Sequence, residues 1–101
     1  MLALDDDRRP TAIFTTNNRS TVGALHALAS SEHTPALVGF DDFELADLLE
    51  TTVVRADAWR LGQEAAALAF ARLAGDTQPP RTITVETELV VRGSGEVEVA
   101  P

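Results

Sequence analysis

Residues 36–42 read ALVGFDD, a short apolar run broken only by Gly39 that ends on two adjacent carboxylates. A buried parallel strand has this form when it delivers an acid to the rim of a sheet. A second segment repeats the arrangement. The apolar residues 12–14 lead into Thr15, Thr16, Asn17 and Asn18 and then into a helical pattern. Two strands therefore end in polar side chains, and in open α/β sheets ligands bind in the crevice beyond the carboxyl ends of parallel strands. Asn17 and Asp41 are the first candidates for touching a small molecule. For each there is a local alternative: Asn17 as a pure helix cap, Asp41 as a carboxylate bonded to nearby backbone amides.

The rest of the chain reads as alternating strands and helices. Residues 1–4 have the look of a helix end, and the charged run DDDRR leads to Pro10, a breaker before the first strand. Consecutive acids at 5–7 point different ways on any regular element, so a solvated loop is expected there rather than a metal cluster. Thr16 or Asn17 caps a helix over 19–29, whose apolar positions Val22, Leu25 and Leu28 recur at helical spacing. His26 and His33 are the only histidines, and neither has a second ligand at metal spacing, so both are expected to face solvent.

After Asp42, Phe43, Leu45, Leu48 and Leu49 gather on one short segment. It is either a helical turn covering the sheet edge or a surface for a partner, since a rim segment seldom buries four large side chains within its own domain. Residues 51–55 (TTVVR) are rich in β-branched side chains and predict a third strand. Asp57 caps the longest helix, which runs to about residue 74 and stops at Gly75. Its apolar side chains spread over more than half of the circumference and leave a narrow polar wedge of Arg60, Gln63 and Glu64. The helix is therefore expected to be packed on both sides. Strict alternation over 83–92 predicts a last strand, and the GSGEVEVAP tail is expected to fray.

Composition excludes several classes of function. The net charge is -8 and all 8 cationic residues are Arg, so the chain repels nucleic-acid phosphates overall. Phosphoryl-transfer readings of an acidic strand end want a Lys, and there is none. An enzyme would need a base or nucleophile, and the absence of Cys, Lys and any His near either strand end counts against that reading. The lack of Cys also removes thiolate metal sites and fits a reducing compartment. No apolar run approaches the ~20 residues that a bilayer span needs, and no secretory signal is visible after Met1, so a cytoplasmic location is expected.

At this level a family resemblance covers most of the chain. PTAIFTTNNRSTVGAL, ALVGFDD, TTVVRADAWRLGQEAA and TITVETELVVRGS resemble, in order and at compatible spacing over about 9–94, the closing blocks of LacI/GalR-type bacterial transcription repressors. The resemblance implies an α/β fold, a fragment of a periplasmic-binding-protein-like, Rossmann-like domain with a parallel sheet. It assigns 1–56 to the C-terminal lobe and 57–92 to a crossover helix and strand, with no counterpart of the DNA-binding headpiece. Asn17 and Asp41 fall on the family's effector-contacting positions. Ala56 stands where many sugar-responsive members carry a polar group.

The resemblance further implies a non-catalytic sensor of a sugar, nucleoside or similar effector. It requires no cofactor and touches DNA only through the headpiece. The surface of Val22, Leu25, Leu28, Leu45, Leu48 and Leu49 corresponds to the region through which such repressors form homodimers. A transport-type solute-binding protein shares the fold and is the alternative, although the repressor-like TELVVRGS block favours regulation.

Overall fold

The computed structural model describes residues 8–97. The expected helix end at 1–4 and the acidic run at 5–7 lie outside the described residues. The elements are β1 (Ala12–Thr15), α1 (Asn18–Ala29), β2 (Ala36–Phe40), β3 (Thr52–Ala56), α2 (Ala58–Leu73) and β4 (Thr87–Val90). The strands form one sheet in the order β1-β2-β3-β4, with β1, β2 and β3 mutually parallel. The α/β, mostly parallel architecture expected from the sequence is the one observed. The described residues divide into two compact units, 8–55 with 89–97, and 56–88.

In the first unit, the register pairs Thr15 with Gly39 and Val38 with Thr52. Side chains alternate along each strand, so Thr15, Leu37, Gly39 and Val53 share one face, while Phe14, Val38 and Thr52 share the other. The helix α1 lies on the first face. Its contact residue is Thr21, fully buried, rather than the stripe of Val22, Leu25 and Leu28; Val22 is exposed and the two leucines are half-buried. The reason is closeness. A Cβ at Gly39 would sit 2.5 Å from Thr21 Oγ1 and 3.2 Å from Thr15 Oγ1, so β2 and α1 meet where one partner has no side chain. At that contact the hydroxyls of Thr15 and Thr21 share a 2.6 Å hydrogen bond, which satisfies two polar groups inside the packing.

Residues 41–51 carry the chain from the end of β2 to the start of β3 through a series of turns, with Ala46 fully buried. Thr51 N–H donates to the Ala46 carbonyl and closes this segment onto β3. It is the compact turn segment anticipated after Asp42, but its large side chains stay outside: Leu45, Leu48 and Leu49 are all exposed.

The tail departs most from expectation. Residues 92–96 are not frayed but sewn into the sheet. Ser94 Oγ donates to the Leu37 carbonyl at 2.6 Å and accepts from Thr52 N–H at 2.8 Å, and Leu37 N–H donates to the Ser94 carbonyl. Thr52 Oγ1 accepts from the N–H groups of Arg92, Gly93 and Gly95 and donates to the Glu96 carboxylate. Gly95 is required because a Cβ there would meet Val38 Cγ2 at 2.7 Å. Composition alone made this segment look loose; its order comes from side-chain hydrogen bonds to distant residues.

In the second unit, Asp57 caps α2 as expected, its carboxylate accepting from Arg60 N–H at 3.1 Å. The helix ends at Leu73, and Gly75 follows with φ 102. No residue of α2 is buried among the described residues, so the expectation of a helix packed on both sides is not met within this chain. The last strand is also shorter than the alternation over 83–92 predicts. Ile83 and Val85 instead line, with Leu61, Ala65 and Leu68 of α2, a groove of about 320 Å³. Alternation specifies a strand only where a neighbouring strand is in reach; here the apolar residues meet a helix.

Candidate functional site at the carboxyl edge of the sheet

The three parallel strands end on one edge, and the sequence places Asn17 after β1 and Asp41 after β2. Asn17 is exposed and extended, with φ -157. Its Oδ1 accepts from Ser20 N–H at 2.8 Å, so it is the N-cap of α1. Capping uses only the carbonyl side of the amide. The NH₂ side makes no hydrogen bond to a described residue, so one side chain can cap the helix and still offer a donor at the rim.

Asp41 lies in the left-handed region with φ 74 and is half-buried. Its N–H donates to the Val54 carbonyl at 2.8 Å, which ties the residue to the middle of β3. Its carboxylate makes no hydrogen bond or ion pair with a described residue. The local alternative, a carboxylate occupied by nearby amides, therefore describes its neighbour instead. Asp42 accepts from Arg92 through both oxygens at 2.8 Å and from Phe43 N–H at 3.0 Å. Arg55 Nη1 adds a looser contact at 3.5 Å.

The guanidinium fork of Arg92 fits a carboxylate in a bidentate fashion, and Nη1 also donates to the Thr51 carbonyl at 3.1 Å. The hydrogen bonds from Arg92 hold the Asp42 carboxyl down to about 2 against the opposing cost of desolvation, with the Phe43 amide helping. Arg92 is correspondingly pushed up by its bonds to Asp42.

Two cavities flank this edge. One, of about 290 Å³, is lined by Asn18, Arg19, Val22 and Phe43, of which Asn18 and Phe43 directly follow Asn17 and Asp42. The other, of about 300 Å³ and mainly apolar, lies between α1 and the turn segment, lined by Val22, Leu25, His26, Ala29, Phe43, Leu45 and Leu49. Four of the six residues expected at a dimer surface line it; Leu28 is half-buried and outside the lining, and Leu48 projects outward, 77% exposed.

Of the two histidines, His26 is exposed, whereas His33 is half-buried with Nε2 3.0 Å from the Pro10 carbonyl. The expectation of a solvent-facing His33 fails because an imidazole N–H finds a backbone acceptor across the turn. Among the described residues no group of His, Cys, Asp and Glu could hold a metal ion.

Sequence reasoning missed the Asp42–Arg92 pair. A signal was available: adjacent acids leaving a strand cannot both point into one crevice, and the last alternating segment ends on an Arg.

Residues 1–95 match the family model of the periplasmic binding protein-like domain. The chain belongs to that family. Within the family it is homologous to LacI-type repressors and corresponds to part of their effector-binding domain. It is 33% identical over 101 residues to the HTH-type transcriptional repressor PurR of Mannheimia succiniciproducens, covering 93% of this chain and 29% of that protein. It is 36% identical over 97 residues to the HTH-type transcriptional regulator CelR of Thermobifida fusca, covering 88% of this chain and 28% of that protein. The fold is similar to a solved structure assigned as a transcription regulator from Staphylococcus saprophyticus subsp. saprophyticus, with a TM-score of 0.75 and 28% identity over 87% of this chain and 34% of that one. The chain thus spans less than a third of the length of these two regulators.

Proposed function

We propose that this chain is the effector-sensing and dimerising part of a LacI-type transcriptional regulator acting in the cytoplasm, with Asp41 and Asn17 on the effector-contact rim. The observation that carries this reading is the division of labour between adjacent acids: Asp42 is locked by Arg92, while the Asp41 carboxylate has no partner among the described residues at the edge where α/β sheets bind ligands. A free carboxylate accepts hydrogen bonds from hydroxyl or amine groups, and the spare amide donors of Asn17 complement it. That chemistry suits a sugar, a nucleoside or a similar polyhydroxylated molecule.

The mechanism is binding, not bond-breaking. An effector held at the rim biases one arrangement of the domain over another, and a dimer passes that bias to DNA-reading elements outside this chain. The apolar groove between α1 and the turn segment, with exposed Leu45, Leu48 and Leu49 beside it, supports the dimer contact. The exposed Trp59, Phe70 and Leu73 of α2 support packing of that helix on further protein in chains of the relatives' length.

Calorimetry with D-ribose, D-glucose, cellobiose and adenosine tests the site. The probe that binds should lose roughly ten- to a hundredfold in affinity in Asp41→Ala, the weight of a charge-assisted hydrogen bond. Undiminished affinity in a folded variant would remove Asp41 from the site.

A further inference from the structure

We propose that Arg92 is a positioning residue for Asp41: by clamping Asp42 it holds the left-handed backbone turn that presents the Asp41 carboxylate at the rim. The inference rests on the reading of Asp41 as the effector contact and adds a residue that does not itself touch the effector.

Left-handed φ is uncommon for any residue with a Cβ, and although Asp tolerates it better than most, the conformation persists where the surroundings over-determine it. At Asp41 the surroundings do so from both sides. On the N-terminal side its own N–H is fixed to the Val54 carbonyl. On the C-terminal side everything runs through Asp42, whose carboxylate is gripped by both Arg92 Nη atoms and by Phe43 N–H. Arg92 is itself fixed: Nη1 also holds the Thr51 carbonyl, and its backbone N–H donates to the buried Thr52 hydroxyl. The clamp therefore reaches from the start of β3 to the residue after Asp41. It has an electrostatic consequence too. Two adjacent carboxylates repel, and the Arg92 guanidinium offsets that repulsion by compensating the charge of Asp42.

NMR on the full chain reads the turn directly, because a residue at positive φ gives a strong intraresidue amide-to-Hα NOE. Wild type and Asp41→Asn should show that signal at position 41. Arg92→Gln and Asp42→Asn should lose it while the amide spectrum stays dispersed, and Arg92→Lys, which keeps the charge but not the fork, should restore it in part. With the same four probes, Arg92→Gln should bind at least tenfold more weakly.

A folded Arg92→Gln or Asp42→Asn that keeps the signal overturns the inference. Should Arg92→Gln fail to fold, Arg92→Lys carries the test, and an undiminished signal there overturns it equally. The two readings separate cleanly. If Asp41→Ala weakens binding while Arg92→Gln changes neither signal nor affinity, only the positioning role fails. If Arg92→Gln abolishes the signal while Asp41→Ala binds as wild type, the effector contact fails and the control of the turn by Arg92 stands.

Discussion

Gly39 and Thr21 meet so closely that a Cβ on the glycine would lie 2.5 Å from the threonine hydroxyl oxygen. This contact sets how near α1 approaches β2. It also explains why the buried residue of the helix is a threonine sharing a hydrogen bond with Thr15, not one of the leucines. Thr21 Oγ1 further donates to the Asn17 carbonyl, which connects the packing to the helix cap at the rim.

Gly39→Ala should therefore destabilise the chain by about 1–3 kcal/mol, the usual cost of forcing atoms into a filled interior. Urea denaturation gives the measurement. A midpoint equal to wild type would mean that α1 can move outward without loss, and the close approach would not be a constraint.

The tail yields a second expectation. Ser94→Ala removes the partner of Thr52 N–H and one partner of the Leu37 carbonyl, and leaving a buried backbone group unpaired costs about 1–3 kcal/mol. Amide exchange at Thr52 should speed up more than at Val53. Uniform protection in the variant would show that the serine is dispensable to the clasp.

How much of this could be read from the sequence depends on whether the signal was local. Strand and helix order, the caps at Asn17 and Asp57 and the stop at Gly75 follow from short-range chemistry, and the structure has them where the sequence puts them. The tail was illegible because its order depends on Thr52, some 40 residues earlier, and GSGEVE has no periodicity to betray that. The last strand was overextended because alternation at Ile83 and Val85 says that one face is apolar, not whether a sheet or a helix covers it. At the site, the positions of Asn17 and Asp41 were legible from strand ends; the pairing of Asp42 with Arg92, 50 residues further on, was not.

The Asp42–Arg92 pair makes stability depend on pH in a defined window. The Asp42 carboxyl is depressed from 3.8 to about 2, so the folded chain binds its proton less tightly than the unfolded chain does. Its contribution is complete above the ordinary carboxylate value and is lost as pH falls through about 2. The shift corresponds to at most about 2 kcal/mol. Asp42→Asn should flatten the stability profile between pH 4 and 2; an unchanged slope would mean that other acids carry the transition.

Because the chain carries a net charge of -8, it should show no sequence-selective DNA binding by itself. Anisotropy titrations at low salt favour electrostatic attachment most strongly. Tight selective binding there would place DNA contacts within these residues and overturn the proposed division between sensing and DNA reading.

Self-association should run through the groove between α1 and the turn segment. Val22, Leu25, Leu45 and Leu49 line a mainly apolar hollow, and Leu48 stands 77% exposed next to it. Apolar burial is worth about 25 cal/mol per Å², so a contact removing even ~1,000 Å² of apolar area from water would offset the entropic cost of pairing. A twofold contact also counts each substitution twice, since the same patch serves both protomers. Sedimentation at micromolar concentration should then find a dimer or larger assembly, and Leu48→Glu with Leu49→Glu should shift it toward monomer by placing charges in the contact. The α2 face of Trp59, Phe70 and Leu73 provides the control. If association instead survives the leucine changes and disappears on Trp59→Glu, the adhesive surface is that of α2, and the groove beside α1 is not the dimer contact.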